Sequence, residues 1–229
     1  MKKINLLLSV LVILLIWSCG NDDDGPSGPG PMPTDKVSGV YISNEGQFQN
    51  NDASITFYDL DDQMTTQKVF ENANNRPLGD VLQTMFEYRG QLTMIINNSK
   101  RMETVTLPEF VTVDALTGLN SPRHLAIFDE RKSYLSDLFA GKIYVVDFIN
   151  YEIFDSIPLP GWSEELLIHS GRLYVTNPTN DQVYIVDVNQ NRLIDSIAMA
   201  NSPGAIRLDK NNKLWVLANG SSFNMLDGA

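Results

Sequence analysis

The stretch "KIYVVDFINYEIFDSI" at 142–157 returns as "QVYIVDVNQNRLIDSI" at 182–197, with no gap in the register. Tyr144, Val146, Asp147, Asp155, Ser156 and Ile157 meet Tyr184, Val186, Asp187, Asp195, Ser196 and Ile197, each pair 40 positions apart. A fixed period of this length marks a repeat architecture and limits the chain to folds made by stacking one unit. In the first copy Ile143 and Val145 alternate with Tyr144 and Val146, so both faces are apolar. Such a segment is a strand packed above and below. A second strand is read in "SYLSD" and "RLYVTN", a third in "EIFDSIPL" and "RLIDSIAM", and a fourth in "ELLIHS" and "AIRLDK".

Four short strands in each unit of this length describe a blade of a β-propeller, and the expected class is all-β with four-stranded blades. One blade cannot bury both of its faces, so blades must stack, and each copy faces the same packing demand. Weaker copies stay in phase. Trp215 falls 41 positions after Tyr174, and Tyr174 falls 40 after Tyr134. Pro122 and Pro203 stand 81 apart, or two units. "ASITFYDL" at 53–60 reads as an earlier copy, with Tyr58-Asp59 in the place of Val146-Asp147. The Gly-His and Trp-Asp marks of WD40 repeats are missing. "PLGDVLQTM" admits two readings: Leu78, Val81, Leu82 and Met85 have helical spacing after Pro77, whereas alignment of Pro77 with Pro122 makes the segment an inner strand.

Counted from Val37, the folded part (37–229) holds about four and a half blades and ends on "SSFNMLDGA", a partial one. An unclosed array leaves bare strand edges. The expectation is therefore a fragment lacking two or three blades.

Residues 1–18 read as a lipoprotein signal peptide: Lys2 and Lys3 precede the apolar "INLLLSVLVILLIW", and "IWSC" resembles a lipobox that places lipid on Cys19. Cys19 is the only cysteine, which excludes an intramolecular disulfide and a catalytic thiol. The acidic, then Gly- and Pro-rich segment 19–36 reads as a disordered tether. Removing 1–18 takes away two lysines and no acid, moving the formal charge from −11 to −13. That balance argues against nucleic acid and against electrostatic docking on anionic lipid. The membrane is reached only through the lipid on Cys19.

In a propeller the sheet-to-sheet crossings and the loops between second and third strands share one face, where rigid blades position them for binding. These loops are rich in Asn and carry the aromatics Phe48, Phe139, Trp162 and Phe223. Amides that donate and accept, beside flat apolar rings, suit a large polar molecule with an apolar body. The candidate ligand-binding set is Phe48, Asn98, Arg123, Phe139, Trp162, Asn177 and Asn201. Each Asn also suits a tight turn. Trp162 suits either a ligand platform or a plug between blades. Arg76 and Arg123 flank loop prolines, where a cation holds neighbouring carbonyls or carboxylates or else meets ligand. The two histidines, His124 and His169, fall in different contexts and define no zinc site, and no hydrolytic triad is legible. A binding protein is expected, with no catalytic residue, catalytic cofactor or metal.

The texts "VYISNEGQFQNNDASITFYD", "NNRPLGDVLQTM", "GLNSPRHLAI", "GKIYVVD" and "NKLWVLANG", with the lipobox and acidic tag, resemble the YncE-like propeller lipoproteins of the Bacteroides phylum. Within that group the chain is most similar to the BtuG-type surface cobalamin-binding proteins. The resemblance implies a seven-bladed propeller tethered outside the outer membrane. It would capture a corrinoid, cobalamin, on its loop face and pass it to a TonB-dependent outer-membrane transporter. The alternative is an adhesion or assembly module for protein or glycan; a propeller lyase or hydrolase lacks a visible acid/base cluster.

Overall fold

The computed structural model describes residues 38–129 and 131–220. The leader, Cys19, the tether and the segment 221–229 with Phe223 lie outside the described residues. What is described is all-β, with seventeen strands in five antiparallel sheets of three, four, four, four and two strands.

The first sheet is β1 (Gly39–Asn44), β2 (Ser54–Asp59) and the two-residue β3 (Thr65–Thr66), followed by helix α1 (Val69–Asn74). The second is β4 (Leu82–Tyr88), β5 (Gln91–Ile96), β6 (Arg101–Thr106) and β7 (Thr112–Leu116). The third is β8 (Pro122–Ile127), β9 (Ser133–Asp137), β10 (Lys142–Asp147) and β11 (Glu152–Pro158). The fourth is β12 (Leu166–His169), β13 (Arg172–Asn177), β14 (Gln182–Asp187) and β15 (Arg192–Ala198). The fifth pairs β16 (Pro203–Leu208) with β17 (Leu214–Ala218). Each four-stranded sheet is a simple meander. The first strands β4, β8, β12 and β16 approach one another in succession and form the inner edge of the array.

The doubly apolar pattern is realised side by side. On β13, Leu173 and Val175 join Tyr134, Ile143, Val145, Tyr184 and Val186 in the core between the third and fourth sheets. The alternate residue Tyr174 joins Val183, Ile185 and Ile206 between the fourth and fifth. Burying one such aliphatic side chain contributes roughly 1.5–3 kcal/mol, so each sheet is stabilised from both sides. Ile95, Met102, Leu135, Val146 and Phe148 fill the second junction, and Ile55, Phe70, Leu78, Met94 and Phe110 the first.

The repeat extends to irregularities. The pairing of third with fourth strand slips between Thr104 and Val105, between Val145 and Val146, and between Ile185 and Val186, one equivalent place in three sheets. Such bulges add local twist. The recurrent aspartates end strands: Asp147 Oδ1 accepts from the Ile149 and Asn150 N–H groups, and Asp187 Oδ1 from those of Asn189 and Gln190. Asp59 does the same for Asp61 and Asp62. These turns explain why the sequence repeats Asp there.

Leu82–Tyr88 is a strand, so the inner-strand reading of "PLGDVLQTM" holds. Val81, at φ +61°, breaks any helix through the segment. The helix that does form is α1, six residues that nothing in the repeat announced. A helix so short does not stand alone. Phe70 buries it in the first junction, and Asn74 ties it to the second sheet: Nδ2 donates to Phe110 O at 2.7 Å while Oδ1 accepts from Thr112 N at 3.0 Å.

Candidate functional site

An antiparallel meander sends its second-to-third-strand loop and its crossing to the next sheet to the same rim. On that rim the second strand of each four-stranded sheet ends in, or leads straight into, a polar side chain that fastens a crossing segment. Asn97 Nδ2 donates to Pro122 O, Asp137 Oδ2 accepts from Asn120 and Ser121 N–H, and Asn177 Nδ2 donates to Pro160 O. The three positions are 40 residues apart. One step inward the second strands carry Ser136 and Thr176. Ser136 Oγ accepts from His124 N and donates to Glu164 O; Thr176 Oγ1 accepts from Glu165 N and donates to Gly204 O. Each hydroxyl stitches its own inner strand to the next one.

These stitches set the walls of a cleft of about 390 Å³ at the rim end of the inner strands. Arg123 and His124 of β8 form one wall, Glu164 and Glu165 the middle, and Gly204, Ala205 and Arg207 of β16 the other, with Pro178 and Asn219 above. Glu164 Oε1 accepts from Arg123 Nε at 2.8 Å and Nη2 at 2.5 Å, and Arg123 Nη1 reaches Gln83 Oε1 at 2.5 Å. Glu165 is divided between the Ile206 N–H, 2.8 Å from Oε2, and the Arg207 guanidinium on Oε1. His124 Nε2 lies 3.8 Å from Glu164 Oε1. Burial holds the His124 imidazole below its usual pKa; the two carboxylates oppose that effect, and the two guanidiniums reinforce it. Gly204 leaves room that a side chain would fill, since a Cβ there would meet Asn219 Nδ2 at 2.5 Å.

Two aromatics stand on the same rim. Phe139 and Trp162 meet edge to face, centroids 5.7 Å apart at 85°, and remain 58% and 42% exposed. The Trp162 backbone N–H donates to Thr179 Oγ1 at 2.9 Å, in the loop that carries Pro178 of the cleft. Phe48 is also exposed on this rim, in the loop between β1 and β2.

Of the candidate set, the structure brings Phe139 and Trp162 together and puts Arg123 in the cleft. Asn177 is buried and holds the Pro160 carbonyl, and Asn98 donates to Asp80 Oδ2 at 2.5 Å, so both fasten loops. Asn201 lies exposed in the crossing from β15 to β16. Arg76 holds carboxylate: it pairs with Glu103, whose side chain is buried, and Arg101 joins from the other side. Sequence reasoning missed Glu164, Glu165, His124 and Arg207 as one group. Their only signal was position, because all sit at or just before inner strands of neighbouring copies. Among the described residues no His, Cys, Asp and Glu cluster with the makings of a metal site occurs.

A stack of four-stranded antiparallel sheets joined rim to rim defines a β-propeller, and solved structures agree. The chain is similar to the β-propeller domain of Cps50 (Swd1) from Myceliophteria thermophila, at 13% identity and TM-score 0.62 over 80% of this chain and 59% of that one. It is also similar to the WD40 β-propeller domain of Doa1, at 13% identity and TM-score 0.53 over 62% of this chain and 48% of that one. Hydrazine synthase of Kuenenia stuttgartiensis matches at 14% identity and TM-score 0.54 over 57% of this chain and 39% of that one. The alignments span less than two thirds of each of these structures, and at such identities the likeness is one of fold. No curated protein matches the chain. The chain belongs to the DUF5074 family, a domain of unknown function, which matches residues 38–227.

Proposed function

We propose that this propeller is a binding module, anchored by lipid on Cys19 at the outer face of the outer membrane, that captures a corrinoid on its loop rim. It hands the ligand to a TonB-dependent transporter, with no catalytic cofactor of its own. The observation that carries the reading is the exposed Phe139–Trp162 pair on the same rim as a charge-lined cleft. A corrinoid is a broad ring with apolar faces and a fringe of amides. The aromatic pair offers area for a face, and the cleft offers both acceptors and donors for an amide arm, though it is too small for the macrocycle. Non-catalytic capture fits the pairing in the cleft, where both carboxylates are engaged by guanidinium.

Calorimetric titration of the purified full chain with cyanocobalamin tests this reading. Saturable binding weakened about tenfold by Trp162→Ala, near the loss of one buried aromatic contact, supports it. No binding by the unaltered chain overturns it. A pair of exposed rings also suits the apolar face of a sugar, so saturable glycan binding without any corrinoid response would move the assignment to an adhesion module.

A further inference from the structure

The second cavity lies away from the loop rim, where the repeat is broken twice. The first break is at the outer strand of the first sheet, which shrinks to Thr65–Thr66 and gives way to α1. The second is the β6–β7 connection, which carries Leu107, Pro108, Glu109 and Phe110. The two irregular segments meet and enclose about 390 Å³, lined by Tyr41, Phe57, Val69, Ala73, Pro108 and Phe110, with Glu109 also in the lining. Tyr41 lies 4.8 Å from Phe57 and 5.1 Å from Phe110 between ring centroids, so three rings border one space.

The walls are pinned from behind. Asn74 holds Phe110 O and Thr112 N, and Thr112 Oγ1 donates to Glu103 Oε1 at 2.8 Å. Glu103 is fully buried and is held in turn by Arg76 and Arg101. A cavity that does not need to be assembled on binding keeps its affinity. Among the described residues its only charged lining residue is acidic, Glu109. The Tyr41 phenol is raised above its usual pKa, first by burial and then by Glu109, which places that carboxylate within electrostatic reach of the ring. Aromatic faces with a nearby carboxylate attract an organic cation that water solvates weakly.

We infer that this cavity is a binding site for a small organic ammonium ion, separate from the loop rim and independent of what the rim captures. The cation sits among Tyr41, Phe57 and Phe110, and Glu109 supplies the opposing charge at the surface. The chain's excess of acid raises the local concentration of any cation.

The test is calorimetric titration of the full chain with choline and with 3,3-dimethyl-1-butanol, which has the same shape but no charge. Choline is expected to bind at least tenfold tighter than the alcohol. Glu109→Gln, at an exposed position, is expected to leave the melting temperature unchanged, to weaken choline about fivefold and to leave the alcohol unaffected. Phe57→Leu, with its melting temperature checked, is expected to weaken choline more than the alcohol. Equal binding of the two probes, no choline binding at millimolar concentration, or indifference to Glu109→Gln each overturns the assignment.

Discussion

The junction between the third and fourth sheets and the junction between the first and second are built by opposite means. The later one is regular: Tyr134, Ile143, Val145, Leu173, Val175, Tyr184 and Val186 come from the strands of successive copies and form one buried cluster. The earlier one recruits a helix, a long turn and a buried carboxylate, and it keeps a cavity. Where packing alone governs, the unit repeats. Where the unit is abandoned, the structure makes room for something else.

The sharpest way to break this contrast is at one repeat position in two settings. Tyr134 is fully buried, and its hydroxyl donates to Val188 O at 3.0 Å; Trp215, its equivalent two units later, is 63% exposed. Tyr134→Ala is expected to cost about 4 kcal/mol in urea unfolding, in line with other buried aromatic truncations. Trp215→Ala is expected to cost less than about 1 kcal/mol, as exposed substitutions do. Equal losses would mean that the repeat position, and not its neighbours, sets the energy.

A smaller effect is expected at the rim. Gly161 has φ +81°, and a Cβ there would stand 2.5 Å from Thr179 Oγ1, the atom that accepts from the Trp162 backbone N–H. Gly161→Ala should cost roughly 1–2 kcal/mol from the left-handed backbone alone. It should also change the Trp162 fluorescence; an unchanged spectrum with unchanged stability would show that this loop is not fixed in the way described. The smallest effect concerns acid. Because burial lowers the His124 pKa in the fold, the unfolded chain binds the extra proton first as pH falls below about 6.5. Stability should therefore decline through that window until the lower, folded pKa has been passed. His124→Asn should flatten this part of the curve of melting temperature against pH, and an unaltered slope would place the sensitivity elsewhere.

Most of the array was legible because a doubly buried strand writes its demand twice, as in Leu173 and Tyr174 facing opposite neighbours. The strand reading of "PLGDVLQTM" held on other grounds, because Pro77 keeps phase with Pro122 at the start of an inner strand. Helix α1 was not legible. Its stability comes from Phe70 and Asn74 reaching other sheets, and no local pattern records that. The cleft was half legible. Arg123 stood out beside its proline, but Glu164, Glu165 and Arg207 look like ordinary surface charge until folding sets successive inner strands side by side. Asn177 misled because an amide that fastens a loop and an amide that awaits a ligand are spelled alike.

The extra residue, Val113, Phe154 or Ile194, falls at the same station on the fourth strand of three successive sheets. The added twist of each outer edge is therefore written into its own sheet, whatever sheet stands beside it.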